Sequence, residues 1–382
     1  GAGGVAGGGA GWRPHFLGAF PLAVCNDGSP AAYYHRPGAA RSRRWLVFLE
    51  GAGWCWDARS CGAAWRVRLG TSAEFPSTGA AVGDWSRTLR GVLEDSERSP
   101  LKGWHLAYVL SCSNDAFLGD SSPRGAAAAE AAPGAGWHFR GRRVLEAVFA
   151  DLRARTGLGD EEGDLVLYGG SGSGGRGAIV TMDYLAEAHV GRARMAGLLD
   201  APLWVPIQPA SRKLVSFDDQ ARRFSAFVVG AASNDSALAS PECQAAHPSE
   251  QGWKCIEPAF RLPFVRTPYF LAHSQYDAFG ITVNVFGRYS PGRRLSPAQR
   301  HYAGRYRREV LRYLPTPAEG SGAAVFSPAR YLHLLLSSGA FWTVEAGGVR
   351  LEAALRAWLA ALPRPAAADL RDACLGFDCG GA

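Results

Sequence analysis

The stretch Asp164-Leu165-Val166-Leu167-Tyr168-Gly169-Gly170-Ser171-Gly172-Ser173-Gly174-Gly175-Arg176-Gly177 decides how the chain is read. A short apolar run ends in a knot of glycine and serine. Helical spacing resumes at Ala178-Ile179-Val180-Thr181-Met182-Asp183-Tyr184-Leu185. The pattern is strand, sharp turn, helix. A turn that tight needs small residues two before and two after its apex, and glycine alone enters positive φ without steric cost.

A turn of this kind presents the nucleophile in α/β-hydrolases. Two other readings compete. A phosphate loop needs Gly-Lys-Ser/Thr after its glycines, whereas Gly175 is followed by Arg176-Gly177, and Gly170-Ser171-Gly172 opens a dinucleotide motif only loosely. A purely structural turn is the bland alternative. The rest of the chain arbitrates.

Upstream, Arg44-Trp45-Leu46-Val47-Phe48-Leu49-Glu50 is an apolar run suited to a strand covered on both faces of a parallel sheet. It ends in Gly51-Ala52-Gly53-Trp54-Cys55. Trp104 to Leu110 reads as a further strand. Turn chemistry at Val24–Pro30 and Arg36–Gly38 brackets a short strand, Ala31–His35, and predicts a hairpin at the sheet edge. Residues 71–100 read as an irregular excursion, 121–136 as a mobile alanine-rich loop, and 143–155 as a helix. Downstream, strands are expected at 195–202 and 267–273 and helices at 217–232, 300–311 and 349–362, with a strand or loop at 331–336. This alternation predicts an α/β fold, a mostly parallel sheet flanked by helices, in one domain over 23–363. A flexible segment over 1–22 and a tail over 364–382 complete the expectation.

The chain of 382 residues, 47% hydrophobic and 20% charged, has the makeup of a globular protein with room for one α/β domain. Its net charge of +7 comes from arginine spread along the sequence. Coding bias is the ordinary explanation, and a surface that attracts acidic polysaccharide the sharper one. No basic run with interleaved aromatics points to nucleic acid. No apolar window of about 18 residues points to a membrane span. Of eight cysteines, Cys55/Cys61, Cys243/Cys255 and Cys374/Cys379 form close pairs, leaving Cys25 and Cys112. An even count in local pairs predicts disulfides and a secreted or secretory-pathway location. Zinc is disfavoured, because neither Cys55/Cys61 nor Cys243/Cys255 has the spacing of a zinc ligand pair.

Three strand ends carry reactive groups in chain order: the serine-glycine knot, Asp277 and His333. That is the order nucleophile, acid, histidine. A serine hydroxyl is a weak nucleophile until an imidazole takes its proton and a carboxylate fixes that imidazole's tautomer. Taken singly, Asp277 also fits a turn and His333 a core position. Backbone N–H groups of Gly51–Trp54, after an early strand, are candidate donors to an oxyanion.

These residues add up to a resemblance. Leu49-Glu50-Gly51-Ala52-Gly53-Trp54-Cys55, with Cys61 beyond, is similar to the Leu-Glu-Gly-Gly-Gly-Trp-Cys…Cys segment of plant pectin acetylesterases. Cys25–Pro30 and Ser42–Gly51 resemble the animal Notum carboxylesterases. Cys112-Ser113-Asn114-Asp115 and Leu199-Asp200-Ala201 resemble further stretches of the same family. The resemblance to the pectin acetylesterase/Notum family implies a serine-type carboxylesterase of α/β-hydrolase fold. It would be a monomer acting on an acylated polysaccharide or acylated protein, with no metal or organic cofactor. It implies Asp277 and His333 as acid and base. Gly53, Trp54 and the backbone of Ser173 fall on the oxyanion hole, and Cys55–Cys61, Cys243–Cys255 and Cys25–Cys112 on disulfides. One position departs. The family elbow reads Gly-x-Ser-Ala-Gly-Gly; aligned without gaps, this chain places Gly172 at the nucleophile. Either Ser171 or Ser173, each flanked by small residues, takes over, or the chain is a catalytically dead member that binds carbohydrate or lipid.

Overall fold

In the computed structural model, which describes residues 11–66, 70–121, 137–229 and 240–379, apolar runs of the middle of the chain assemble side by side. The strands are β1 (Arg13–Phe16), β2 (Ala32–Arg36), β3 (Arg44–Leu49), β4 (His105–Val109), β5 (Leu165–Ser171), β6 (Arg194–Asp200), β7 (Tyr269–Ala272) and β8 (Ala324–Ser327). A two-residue ladder, β9 (Glu345–Ala346) with β10 (Val349–Arg350), stands apart, and β11 (Ala368–Arg371) closes the set. The main sheet runs β1-β2-β4-β3-β5-β6-β7-β8-β11. From β4 to β11 every pairing is parallel; β2 is antiparallel to both β1 and β4.

Parallel neighbours need crossovers, and the helices that supply them cover both faces. Alternate residues of each central strand therefore enter different cores. Val47, Leu49, Val166, Tyr168 and Leu199 pack on one side. That side is covered by α3 (Gly141–Thr156), α4 (Ser173–Ala188) and α9 (Pro297–Tyr313). Leu46, Phe48, Leu167, Leu198 and Phe270 pack on the other, beneath α2 (Gly79–Ser86) and α10 (Leu351–Ala360). The elements between are α1 (Ala58–Arg66), α5 (Phe217–Phe224), α6 (Pro241–Ala246), α7 (Pro258–Arg261) and α8 (Ala278–Phe286). No described helix is long and apolar enough to cross a membrane.

Several local expectations change. β1, within the segment read as flexible, pairs with β2, and Trp12 and Leu17 are buried; residues 1–10 lie outside the described residues. β2 is consequently the second strand from the edge, and its hairpin partner precedes it. β11, within the expected tail, extends the sheet beside β8. The excursion over 71–100 contains α2, whose first turn is capped by the Thr78 hydroxyl. The predicted helix over 217–232 leaves α-geometry after Phe224 for a wider turn over Ser225–Val229. Most of the alanine-rich loop, 122–136, lies outside the described residues.

Four disulfides form: Cys25–Cys112, Cys55–Cys61, Cys243–Cys255 and Cys374–Cys379. Cys25–Cys112 spans 87 residues. It ties the turn before β2 to the loop after β4, and loop-closure entropy makes such a link worth about 4–5 kcal/mol.

Candidate active site

The turn after β5 carries the site. Gly172 has φ +49° and ψ −115° and caps the start of α4. Its N–H donates to Asp200 O at the end of β6 (2.9 Å), and its carbonyl accepts from Arg176 N. The bend is held against β3. A Cβ on Gly170 would lie 2.6 Å from Leu49 O, and one on Gly174 would run into the same carbonyl. Gly172 lies between them and is the residue of 169–177 with positive φ, which marks it as the apex of the turn.

Asp277 follows β7 and is fully buried. One oxygen caps α8, accepting from Gly280 N at 2.7 Å; the other lies 2.6 Å from His333 Nδ1. This fixes the imidazole with Nε2 facing the elbow. A Cβ built on Gly172 would have His333 Nε2 as its nearest neighbour, at 3.5 Å, with Cε1 at 3.9 Å. Phe279 stacks on the ring at 5.1 Å between centroids, and Tyr289 meets it edge-on at 5.5 Å. Burial alone lowers the basicity of His333. The charge and hydrogen bond of Asp277, joined by the charge of Asp200, outweigh that and leave its pKa above the ordinary histidine value. His273, also buried, is pushed down to about 4 by burial against the opposing pull of Asp277 and stays neutral.

The loop bearing His333 has no regular strand. Asp200 anchors it instead, accepting from Leu335 N (2.8 Å), Ser337 N (2.9 Å) and the Ser337 hydroxyl (2.6 Å). Burial raises the pKa of Asp200, while these donors oppose the rise. Replacing Asp200 with alanine strands the donors in the interior. We expect a loss of about 3 kcal/mol, given a unit or more for each unmet donor, read as a lower urea midpoint at unchanged slope.

Neither serine of the knot is hydrogen-bonded to His333. The Ser173 hydroxyl accepts from Gly53 N at 3.1 Å. The Ser171 hydroxyl lies on the β3 side, where a Cβ on Gly51 would be 2.9 Å from it. Among the described residues, no hydroxyl hydrogen-bonds to His333 Nε2. Gly53 and Trp54 stand on the loop after β3, where Trp54 bridges to Asp115 and Cys55 N donates to Asn114 O (2.9 Å). The elbow and this loop therefore meet through Ser173. No cluster of three or more potential ligands among the described residues is arranged to hold a metal.

An aromatic wall runs from the imidazole to that loop. Phe279 stacks on Trp204 (5.5 Å), and Trp204 touches Trp54 (5.1 Å). Arg176, one turn into α4, lies beneath this wall, fully buried and paired with the buried Glu257. None of this could be read in the sequence, because 81 residues separate the pair. Asp200 was visible only as part of a motif.

The geometry can be set beside known proteins. The family profile described as Pectinacetylesterase matches residues 18–371. The palmitoleoyl-protein carboxylesterase NOTUM of Drosophila melanogaster is 28% identical over 345 residues, covering 88% of this chain and 46% of that protein. NOTUM of Mus musculus is 26% identical over 351 residues, covering 88% and 63%. Pectin acetylesterase 5 of Arabidopsis thaliana is 26% identical over 260 residues, covering 68% and 55%. The chain thus spans between about half and two thirds of the length of these relatives. A crystal structure of the Wnt deacylase Notum from Drosophila superposes with a TM-score of 0.78 at 24% identity, covering 95% of this chain and 97% of that one, a likeness of fold. With the family profile extending from the β1–β2 connection to the end of β11, the chain belongs to the pectinacetylesterase family.

Proposed function

We propose that this chain recognises carboxylic esters in a carboxylesterase cleft and holds them without forming an acyl-enzyme. The observation that carries the reading is the space at Gly172. The acid–base pair Asp277–His333 is closed at 2.6 Å, and the nearest atom to a Cβ at Gly172 is His333 Nε2. Everything that would activate a serine converges on a residue with no hydroxyl. The ligand would be an O-acyl group on a polysaccharide or a protein, the two kinds of substrate named for the relatives. Its carbonyl oxygen would face Gly53 and Trp54, displacing the Ser173 hydroxyl from Gly53 N. The disulfides fit an oxidising, extracytoplasmic location.

Stopped-flow mixing with p-nitrophenyl acetate tests this. No burst of nitrophenolate is expected from the chain as it stands, because a burst reports an accumulating acyl-enzyme. A burst stoichiometric with protein refutes the reading.

The acid–base pair has its own signature once a hydroxyl is supplied. In a Gly172→Ser variant, His333 must be neutral to accept the serine proton. Its pKa is raised, so the protonated form persists above the ordinary value of 6.5. kcat/KM for p-nitrophenyl acetate should therefore rise with pH along a single limb centred above 6.5. A limb at or below that value contradicts the dominance of Asp277 over burial.

A further inference from the structure

Arg176 is the least expected residue near the elbow. Four residues beyond Gly172 on α4, it points beneath the oxyanion loop into a box of aromatic rings. Its guanidinium carbon lies 3.6 Å from the Trp54 ring centre, 4.8 Å from Trp204 and 5.5 Å from Phe224. Nη2 pairs with Glu257, Nε donates to Ile256 O at 3.3 Å, and Nη1 is buried with no partner. Glu257 is itself fixed, standing at the start of α7 two residues after Cys255, which is tied to Cys243. A cation held this way cannot swing out to solvent as a surface arginine does.

The position of this box gives it meaning. Trp54 belongs to the loop that faces an ester's carbonyl oxygen, and Trp204 continues the wall through Phe279 to His333. The rings beside the elbow are the apolar surface that a long acyl tail entering from Gly172 would need. Here they are spent on the guanidinium.

We infer that Arg176, clamped by Glu257, fills the aromatic box beneath the oxyanion loop, so that acyl carbons beyond the first few gain no burial in the cleft. The inference rests on the ester-binding reading above and adds the class of ester. A longer chain would have to displace a buried ion pair, and the partner left behind would be an uncompensated charge in the interior. Replacing both members with leucine avoids that penalty, and leucine, smaller than arginine, leaves apolar space among the rings.

The test is a titration of tryptophan fluorescence with methyl butanoate and methyl octanoate, using the full chain and its Arg176→Leu/Glu257→Leu variant. Each buried methylene is worth roughly fourfold in affinity. The chain as it stands should bind the two esters within about threefold of each other, because the added carbons find no box to enter. The double variant should bind octanoate at least ~10-fold tighter than butanoate. A tenfold or greater preference for octanoate in the unmodified chain overturns the inference, and so does a flat profile in the folded variant. If the leucine pair does not fold, Arg176→Met/Glu257→Gln carries the same expectation. Binding of neither ester to either protein instead refutes the ester-binding reading itself.

Discussion

Gly172→Ser is expected to raise kcat/KM for p-nitrophenyl acetate by at least ~10³-fold. Losing the nucleophile from an otherwise intact serine triad costs about 10⁶ in kcat, while binding and oxyanion contacts retain a residual 10³–10⁴ over water. The reverse change should recover much of that span, provided the other parts are already placed. They are: Asp277 is 2.6 Å from His333, and Nε2 faces the missing side chain at 3.5 Å from its Cβ. Full recovery is not expected, because the Ser173 hydroxyl competes for Gly53 N. The same substitution should reduce stability. At φ +49° and ψ −115° an L-residue is strained, at a cost of order 1–3 kcal/mol. Activity up and unfolding midpoint down, in one variant, is the signature of a residue at the apex of a nucleophile elbow. A surface serine would change neither.

Asp277→Asn, introduced into the Gly172→Ser variant, is expected to lower kcat by ~10⁴-fold with little change in the unfolding midpoint. The carboxylate has two duties that the structure separates by oxygen. One oxygen caps α8 through Gly280 N; the other receives His333 Nδ1. Asparagine caps helices about as well as aspartate, so the first duty survives. The amide cannot hold the imidazole in the tautomer that leaves Nε2 free to accept a proton, and the loss falls on catalysis. Steady-state kinetics beside urea denaturation read both duties. A large stability loss with unchanged kcat would mean that Asp277 is a helix cap and nothing more.

The parts of the fold legible in the sequence were those fixed by burial on two faces. β3, β4, β5, β6 and β7 are apolar runs because helices cover both sides of the sheet. β1, Arg-Pro-His-Phe, and β11, Ala-Asp-Leu-Arg, carry no such run; they pair at the edges, where one side meets solvent. β8 is only four residues long. α2 was hidden by two glycines and a short length, and depends on the Thr78 cap. In the site, chain order was enough to nominate Asp277 and His333. The roles of Asp200 and Glu257 were illegible for a common reason. Each acts on a residue far along the chain, 135 positions away for Asp200 and Leu335 and 81 for Glu257 and Arg176. A buried charge is costly unless paired, so these two carboxylates could have been suspected only once their burial was known.

Glycine at 172 also reconciles two features that conflict if a neighbouring serine is the nucleophile. Within residues 169–177 the backbone takes positive φ at Gly172, and a Cβ there would meet His333 Nε2 first. Ser171 and Ser173 are each one residue off that centre, and a misplacement of about 1 Å can cost ~10²-fold in rate.

The most direct measurement is intact-protein and peptide mass spectrometry after incubation with a fluorophosphonate, on the chain as it stands and on Gly172→Ser. The account predicts no adduct on the first, and a single adduct at position 172 on the second that disappears when His333 is replaced by alanine. An adduct on Ser171 or Ser173 of the unmodified chain would contradict it.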